Sequence, residues 1–220
     1  MRVFADFDGT IARPDVTDVM LQRFASPAWE RIEAEWIAGV IDAATCMRRQ
    51  IALIEAHPEA LNAALDEIEL DPDFPAFARW CDEAGIKLAI VSDGVDYFIH
   101  RILERHGLGA IPVFANALKT NGSRHTLEHP WLNDQCAAQQ GVCKCAVTRA
   151  ALRPLIFVGD GRSDQCVSQI ADVVFAKGKL AEFCAKTNRD FVAFTTFAEI
   201  QAGVASLLSR SGVKNAPVAD

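Results

Sequence analysis

The sequence predicts an α/β protein: a doubly wound (Rossmann-like) parallel sheet with an inserted all-helical cap. Three observations point there. Short apolar runs alternate with helix-periodic stretches along most of the 220 residues, the pattern of parallel strands joined by crossover helices. Residues 14–70 break that alternation with helical periodicity alone, giving a core of 1–13 and 71–220 and a cap of 14–70. Acidic or hydroxyl side chains follow three of the apolar runs, and in open α/β sheets ligands bind beyond the carboxyl ends of the strands.

Val3, Phe4 and Ala5 form the first run; Asp6 and Asp8 follow, and Gly9-Thr10 turns the chain sharply. Val16, Met20 and Phe24 recur every four residues after Asp15, a candidate N-cap. Ser26-Pro27 opens a second helix, with serine capping and proline at the first helical position; its apolar face carries Trp29, Ile32, Trp36 and Ile37. A third helix begins near Asp42 and includes Cys46, Met47, Ile51 and Ile54. His57-Pro58 ends it, and Leu61, Leu65 and Ile68 stripe a fourth. Asp71-Pro72 returns the chain to the core.

Phe74, Phe77, Trp80 and Cys81 then stripe a helix that stops at Gly85, a left-handed C-cap. Residues 87–91 form the next strand, leading to Ser92-Asp93-Gly94, and a helix over about 96–106 closes at Gly107. Residues 111–114 are the third strand. Residues 116–143 have little periodicity and predict a hairpin or a long loop. A helix over 145–152 precedes a fourth strand, 155–158, which runs into Gly159-Asp160-Gly161-Arg162-Ser163-Asp164. A short helix, a strand at 173–175, a helix from Leu180, a short strand at 191–194 and a helix over 197–208 complete the chain. The tail after Ser209 is expected to fray.

A formal net charge of −7 argues against general binding to nucleic acid or to an anionic membrane. It does not exclude phosphate substrates, because a local metal and one lysine outweigh a distant net charge. No apolar run approaches the ~18 residues of a membrane span, and no signal-peptide pattern opens the chain. The expectation is a soluble cytoplasmic protein of undetermined oligomeric state. Seven cysteines in such a chain are expected to be reduced thiols. Cys136, Cys143 and Cys145 cluster in sequence and, with His125 and His129, are candidate zinc ligands. A tetrahedral site usually wants four ligands and a C-x₂₋₄-C pair, so ordinary thiols are the expectation. Asp6 and Asp8 repel each other if both are ionised; a divalent cation relieves that, and hard oxygen ligands suit Mg²⁺.

The order D-F-D-G-T (Asp6 to Thr10), V-S-D-G (Val91 to Gly94), a later lysine and G-D-G-R-S-D (Gly159 to Asp164) resembles the haloacid dehalogenase-type phosphatases. The resemblance implies a Mg²⁺-dependent phosphomonoesterase acting on a small phosphorylated metabolite. It implies that Asp6 is the nucleophile, forming an aspartyl-phosphate, and that Asp8 is the general acid and base. Ser92, Asp93, Gly94 and Thr10 would surround the phosphoryl group, and Asp6, Asp160, Asp164 and the Asp8 carbonyl the metal. Lys144 lies just before the fourth strand, where the family's lysine stands, and is preferred to Lys119.

The helical insert is similar to the cap of the phosphoserine-phosphatase branch. F-A-S-P-A-W (Phe24 to Trp29), H-P-W (His129 to Trp131), C-K-C (Cys143 to Cys145) and V-F-A-K (Val174 to Lys177) are similar to the branch that acts on 2-hydroxy-3-keto-5-methylthiopentenyl-1-phosphate in methionine salvage. Asp15 stands where phosphoserine phosphatases hold the substrate's amino group, with helix capping as its alternative role. Arg48 is a candidate partner for a substrate carboxylate, and Trp29, Trp36 and Trp80 are expected in the core. Phosphoserine is the alternative substrate, and a phosphomutase or phosphotransferase the alternative reaction. A non-catalytic binding module would be marked by loss of the motif acids, all of which are present.

Overall fold

The structure, a computed structural model, describes residues 1–136 and 139–210. Its strands are β1 (Arg2–Ala5), β2 (Lys87–Val95), β3 (Val113–Asn121), β4 (Arg124–Glu128), β5 (Leu155–Gly159), β6 (Val173–Ala176) and β7 (Val192–Ala193). They form one sheet in the order β4-β3-β2-β1-β5-β6-β7, parallel throughout except for the β3–β4 hairpin. The central β1 is apolar on both faces, as a doubly covered parallel strand must be. Val3 and Ala5 join one core cluster and Phe4 the other.

Register brings the motif residues to one edge. Ala5 pairs with Ile90 on one side and with Val158 on the other. Asp6, Ser92 and Asp160 follow those positions by one or two residues and emerge together at the carboxyl end of the sheet.

Between β1 and Asp71 stand four helices: α1 (Val16–Phe24), α2 (Ala28–Ile37), α3 (Ala43–Ile51) and α4 (Pro58–Leu65). Asp15 and Asp42 cap α1 and α3 by accepting from the Asp18 and Thr45 N–H groups. The helix at 28–37 differs from expectation, because Pro27 occupies the N-cap with no side-chain bond and the Ser26 hydroxyl is not used. Ile37, expected on the buried face of α2, is exposed. The two segments linking this block to the sheet pair with each other, Ala12 opposite Leu70. Arg13 N–H donates to the Glu69 carbonyl (3.2 Å) and Asp71 N–H to that of Ile11 (2.8 Å).

The remaining helices are α5 (Phe74–Glu83), α6 (Asp96–Arg105), α7 (Lys144–Arg149), α8 (Gln165–Ser168), α9 (Gly178–Lys186) and α10 (Phe197–Arg210). The hairpin expected within 116–143 is present, but its first strand starts at Val113 and absorbs the short strand expected at 111–114. Periodicity missed it because alternate residues such as Lys119 and Thr126 face outward, while Ala115, His125 and Leu127 are buried. This hairpin packs on α3 and is stitched to the segment after it: Ala56 N–H donates to Ser123 O (3.1 Å), and Glu55 bridges Arg124. No helix among the described residues is long and apolar enough to cross a membrane. The expected fraying tail falls outside the described residues from 211 onward.

Phe197 seats α10 on α5. Its ring, fully buried, meets Phe74 at 4.8 Å and Phe77 at 5.3 Å between centroids. Phe197→Ala is expected to cost about 3–5 kcal/mol in urea unfolding, and a loss below about 1 kcal/mol would show that α10 is not held by this contact.

Candidate active site

Asp6 leaves β1 with its N–H bonded to the Val158 carbonyl (2.9 Å), while its Oδ1 accepts from the next N–H, that of Phe7 (2.8 Å). Lys144, the first residue of α7, reaches in from the opposite side. Its Nζ lies 2.9 Å from Asp6 Oδ2 and 2.6 Å from Asp164 Oδ1, and all three side chains are buried. The second Asp164 oxygen accepts from the Asp160 N–H (3.0 Å) and the Gly161 N–H (2.9 Å), fixing the loop after β5. Thr10 donates to Asp160 Oδ1 (2.5 Å). Asp6, Asp160 and Asp164 can each bring one carboxylate oxygen within 4.8 Å of the others.

Electrostatics here is set by burial. It works against the Lys144 charge, but Asp164 and then Asp6 outweigh it and raise the ammonium pKa. Burial and the neighbouring Asp164 push Asp6 well above the ordinary carboxylate range, against the pull of Lys144. Burial, then Asp15 and Asp6, raise Asp8 in the same way. Several buried acids share one cation, so the donor set fits a divalent ion held by oxygen ligands.

Asp8 is separate from that trio. Its Oδ1 accepts from the Val16 N–H at the start of α1 (2.9 Å), and its other oxygen abuts Gly94. A Cβ on Gly94 would stand 2.3 Å from Asp8 Oδ2 and 3.0 Å from Ser92 Oγ, so only glycine lets the loop after β2 approach the acid. Ser92, itself buried, accepts from the Gly94 N–H (3.0 Å). Gly9, at φ +67°, meets a similar limit at Asp160.

Two residues expected at the phosphoryl group use their side chains to brace the site, and Asp93 also lines the cleft. The Thr10 hydroxyl is committed to Asp160. The Asp93 carboxylate accepts from the Val142 N–H (2.9 Å) and is met by the Asn116 amide, so it braces the loop that leads to Lys144. Burial lifts its pKa to about 6. Sequence reasoning missed Asn116, whose amide also donates to the Asp93 and Gly94 carbonyls and whose Oδ1 meets His129 Nδ1 (2.6 Å).

Asp6, Asp8, Ser92, Asp93, Gly94 and Asp160 floor a cleft of about 510 Å³, a size that holds a small metabolite. The helical block supplies Asp15, Asp18, Glu33, Trp36, Ala43, Cys46, Met47 and Gln50; Arg162 and Lys179 line the sheet side. Asp15 therefore both caps α1 and faces the cleft. Trp36, expected in the core, lines it too, whereas Trp29 and Trp80 pack on the core. Arg48 is exposed and lies outside the lining. The missed face of α3 was legible as the i, i+3, i+4, i+7 stripe Ala43, Cys46, Met47, Gln50, whose polar member marks it as more than packing. Lys119 is exposed and pairs with Glu128 (3.5 Å).

A family model described as haloacid dehalogenase-like hydrolase matches residues 3–169. Two curated relatives carry the name 2-hydroxy-3-keto-5-methylthiopentenyl-1-phosphate phosphatase. The protein from Brevibacillus brevis is 29% identical over 90% of this chain and 92% of its own. That from Exiguobacterium sp. is 30% identical over 91% and 95%. Among solved structures, a phospho-aspartyl intermediate analogue of phosphoserine phosphatase superposes with a TM-score of 0.67 at 20% identity, covering 92% of this chain and 97% of that one.

With Lys144 removed, Asp6 and Asp164 would remain buried without their cation. Lys144→Met is expected to cost about 3–5 kcal/mol in denaturant unfolding with a chelator present. A cost under about 1 kcal/mol would mean that the lysine does not hold the two acids together.

Proposed function

Because the chain belongs to the haloacid dehalogenase-like hydrolases, we propose that this phosphatase is a Mg²⁺-dependent phosphomonoesterase that carries the phosphoryl group of a small metabolite on Asp6 before passing it to water. The observation that carries the reading is the buried bridge from Lys144 to both Asp6, which lines the cleft, and Asp164 behind it.

Asp6 attacks phosphorus opposite the ester oxygen, and that oxygen leaves as the alcohol with a proton from Asp8. Water then attacks the aspartyl-phosphate and returns its proton to Asp8, which restores both acids. The raised pKa of Asp8 suits it to hold the proton that the first step consumes. Ser92 and backbone N–H groups near it receive the phosphoryl oxygens, and Lys144 offsets the charge of Asp6 as an anionic substrate approaches. Asp6, Asp160 and Asp164, with the Asp8 carbonyl, would hold Mg²⁺, which supplies neutralisation of the phosphoryl charge.

The substrate reading rests on the cleft wall and on the names of the relatives. Trp36, Ala43, Cys46 and Met47 offer apolar surface and Gln50 a hydrogen bond, which suit a thioether and an enol such as those of 2-hydroxy-3-keto-5-methylthiopentenyl-1-phosphate. Phosphoserine is the second reading, favoured by Asp15 facing the cleft. Its carboxylate, however, meets no lysine or arginine on the helical wall, since Arg48 lies outside the lining.

Asp6→Asn should abolish turnover with the circular dichroism spectrum unchanged, and excess chelator should stop turnover reversibly until Mg²⁺ is restored. Wild-type rates in either test would end the proposal. For specificity, kcat/KM should favour the methylthiopentenyl phosphate over phosphoserine by about tenfold or more, since one buried unpaired polar group costs ~1–3 kcal/mol. A preference for phosphoserine that disappears in Asp15→Ala would reverse this assignment.

A further inference from the structure

Beyond the phosphatase site lies a group of side chains that its chemistry does not use. Cys143 caps α7 and Cys145 sits in its first turn, on either side of Lys144. Cys166 lies in α8, which packs against α7, and Cys136 lies in the loop before α7. Sequence spacing suggested Cys136, Cys143 and Cys145 with His125 and His129. The structure sends the histidines elsewhere: His125 Nε2 meets the Ala56 carbonyl (2.9 Å) and His129 Nε2 that of Ala44 (3.1 Å). Cys166 takes the fourth place. Cys136 interacts with both Cys143 and Cys166, and Cys166 in turn with Cys145.

We propose that Cys136, Cys143, Cys145 and Cys166 bind one structural Zn²⁺ as four thiolates. Four cysteines are the common donor set of closed, tetrahedral zinc sites, and soft sulfur selects zinc over the hard Mg²⁺ of the carboxylate site. One donor is already aimed at a sulfur: the Asn133 side-chain amide at Cys143 Sγ (3.9 Å). Such an N–H group orients and stabilises a bound thiolate. Cys143 is buried and the other three are half-buried, so the site is shielded but reachable.

The sulfurs stand wider here than in a filled site, because among the described residues only the aspartate trio has its ligand atoms within 4.8 Å of one another. Binding must draw them in to Zn–S distances of about 2.3 Å, with each thiol releasing its proton to solvent. Drawn together, they tie the loop before α7, the first turn of α7 and α8 to one point, with Lys144 held between two of the ligands.

The test is the metal content of full-length protein purified without chelator or affinity metal, with Mg²⁺ present to fill the carboxylate site. The expected result is close to one zinc per chain, released by a mercurial that titrates thiols, and lost at least about tenfold in Cys136→Ser and in Cys166→Ser. Cys184→Ser, which removes a buried thiol outside the cluster, should keep its zinc. Should the serine variants fail to fold, cobalt(II) added to the zinc-stripped wild type in excess Mg²⁺ should give thiolate-to-cobalt charge-transfer and tetrahedral d–d bands. Absence of those bands, a zinc content below about a tenth per chain, zinc retained in both variants, or disulfides among the four in freshly isolated protein would each overturn the proposal.

Discussion

The active site depends on one buried ammonium. Lys144 offers Nζ to Asp6 and Asp164 in a place where both carboxylates are buried. At such burial an unpaired charge costs several kcal/mol, so the strands that carry these acids and the helix that carries the lysine must converge. Asp164 in turn spends its second oxygen on the backbone of the loop after β5. The lysine is therefore the mechanical link between the end of β1, the end of β5 and the start of α7.

Around it, loop geometry is fixed by contacts that side chains make with backbone. Asn116 spans the gap between β2 and β3 and holds the carbonyls of Asp93 and Gly94. Asp93 holds the Val142 N–H two residues before Lys144. Gly94 leaves room for Asp8, and Gly159 does the same for Asp164, whose Oδ2 would lie 2.3 Å from a Cβ there. The glycines and the acids are thus one unit: each carboxylate occupies space that a side chain would otherwise fill.

Much of this was readable in the chain because it is local. Asp6 and Asp8 adjoin an apolar run that can only be a buried strand, and parallel register then delivers Ser92 and Asp160 beside them. Lys144 could be chosen by its place before the fourth strand. What escaped was tertiary. Asn116 sits in a polar stretch whose alternation is hidden by its outward-facing residues. Trp36 looked like packing because an aromatic at helical spacing usually is, and the bracing bonds of Thr10 and Asp93 were hidden because nothing local brings Asp160 or Val142 to them. Arg48 was placed on the right helix but on the wrong side of it. Cys166 stands far along the chain from the other three thiols, and only the contact of α7 with α8 makes it their neighbour.

The helical block is moored to the rest of the chain at several points: the paired neck of Ala12 and Leu70, the β3–β4 hairpin beside the segment after α3, and α4 against α6, where Tyr97 donates to Asn62 and Arg101 pairs with Asp66. Val16, whose N–H holds Asp8, follows the neck by only a few residues. The aim of that acid is thus set where the block is rooted. Trp36 and Met47, which line the cleft, lie on α2 and α3, well along the chain from the neck. Side chains on that wall can therefore be exchanged without touching the bond that orients Asp8, so the two ends of the cleft are free to diverge independently.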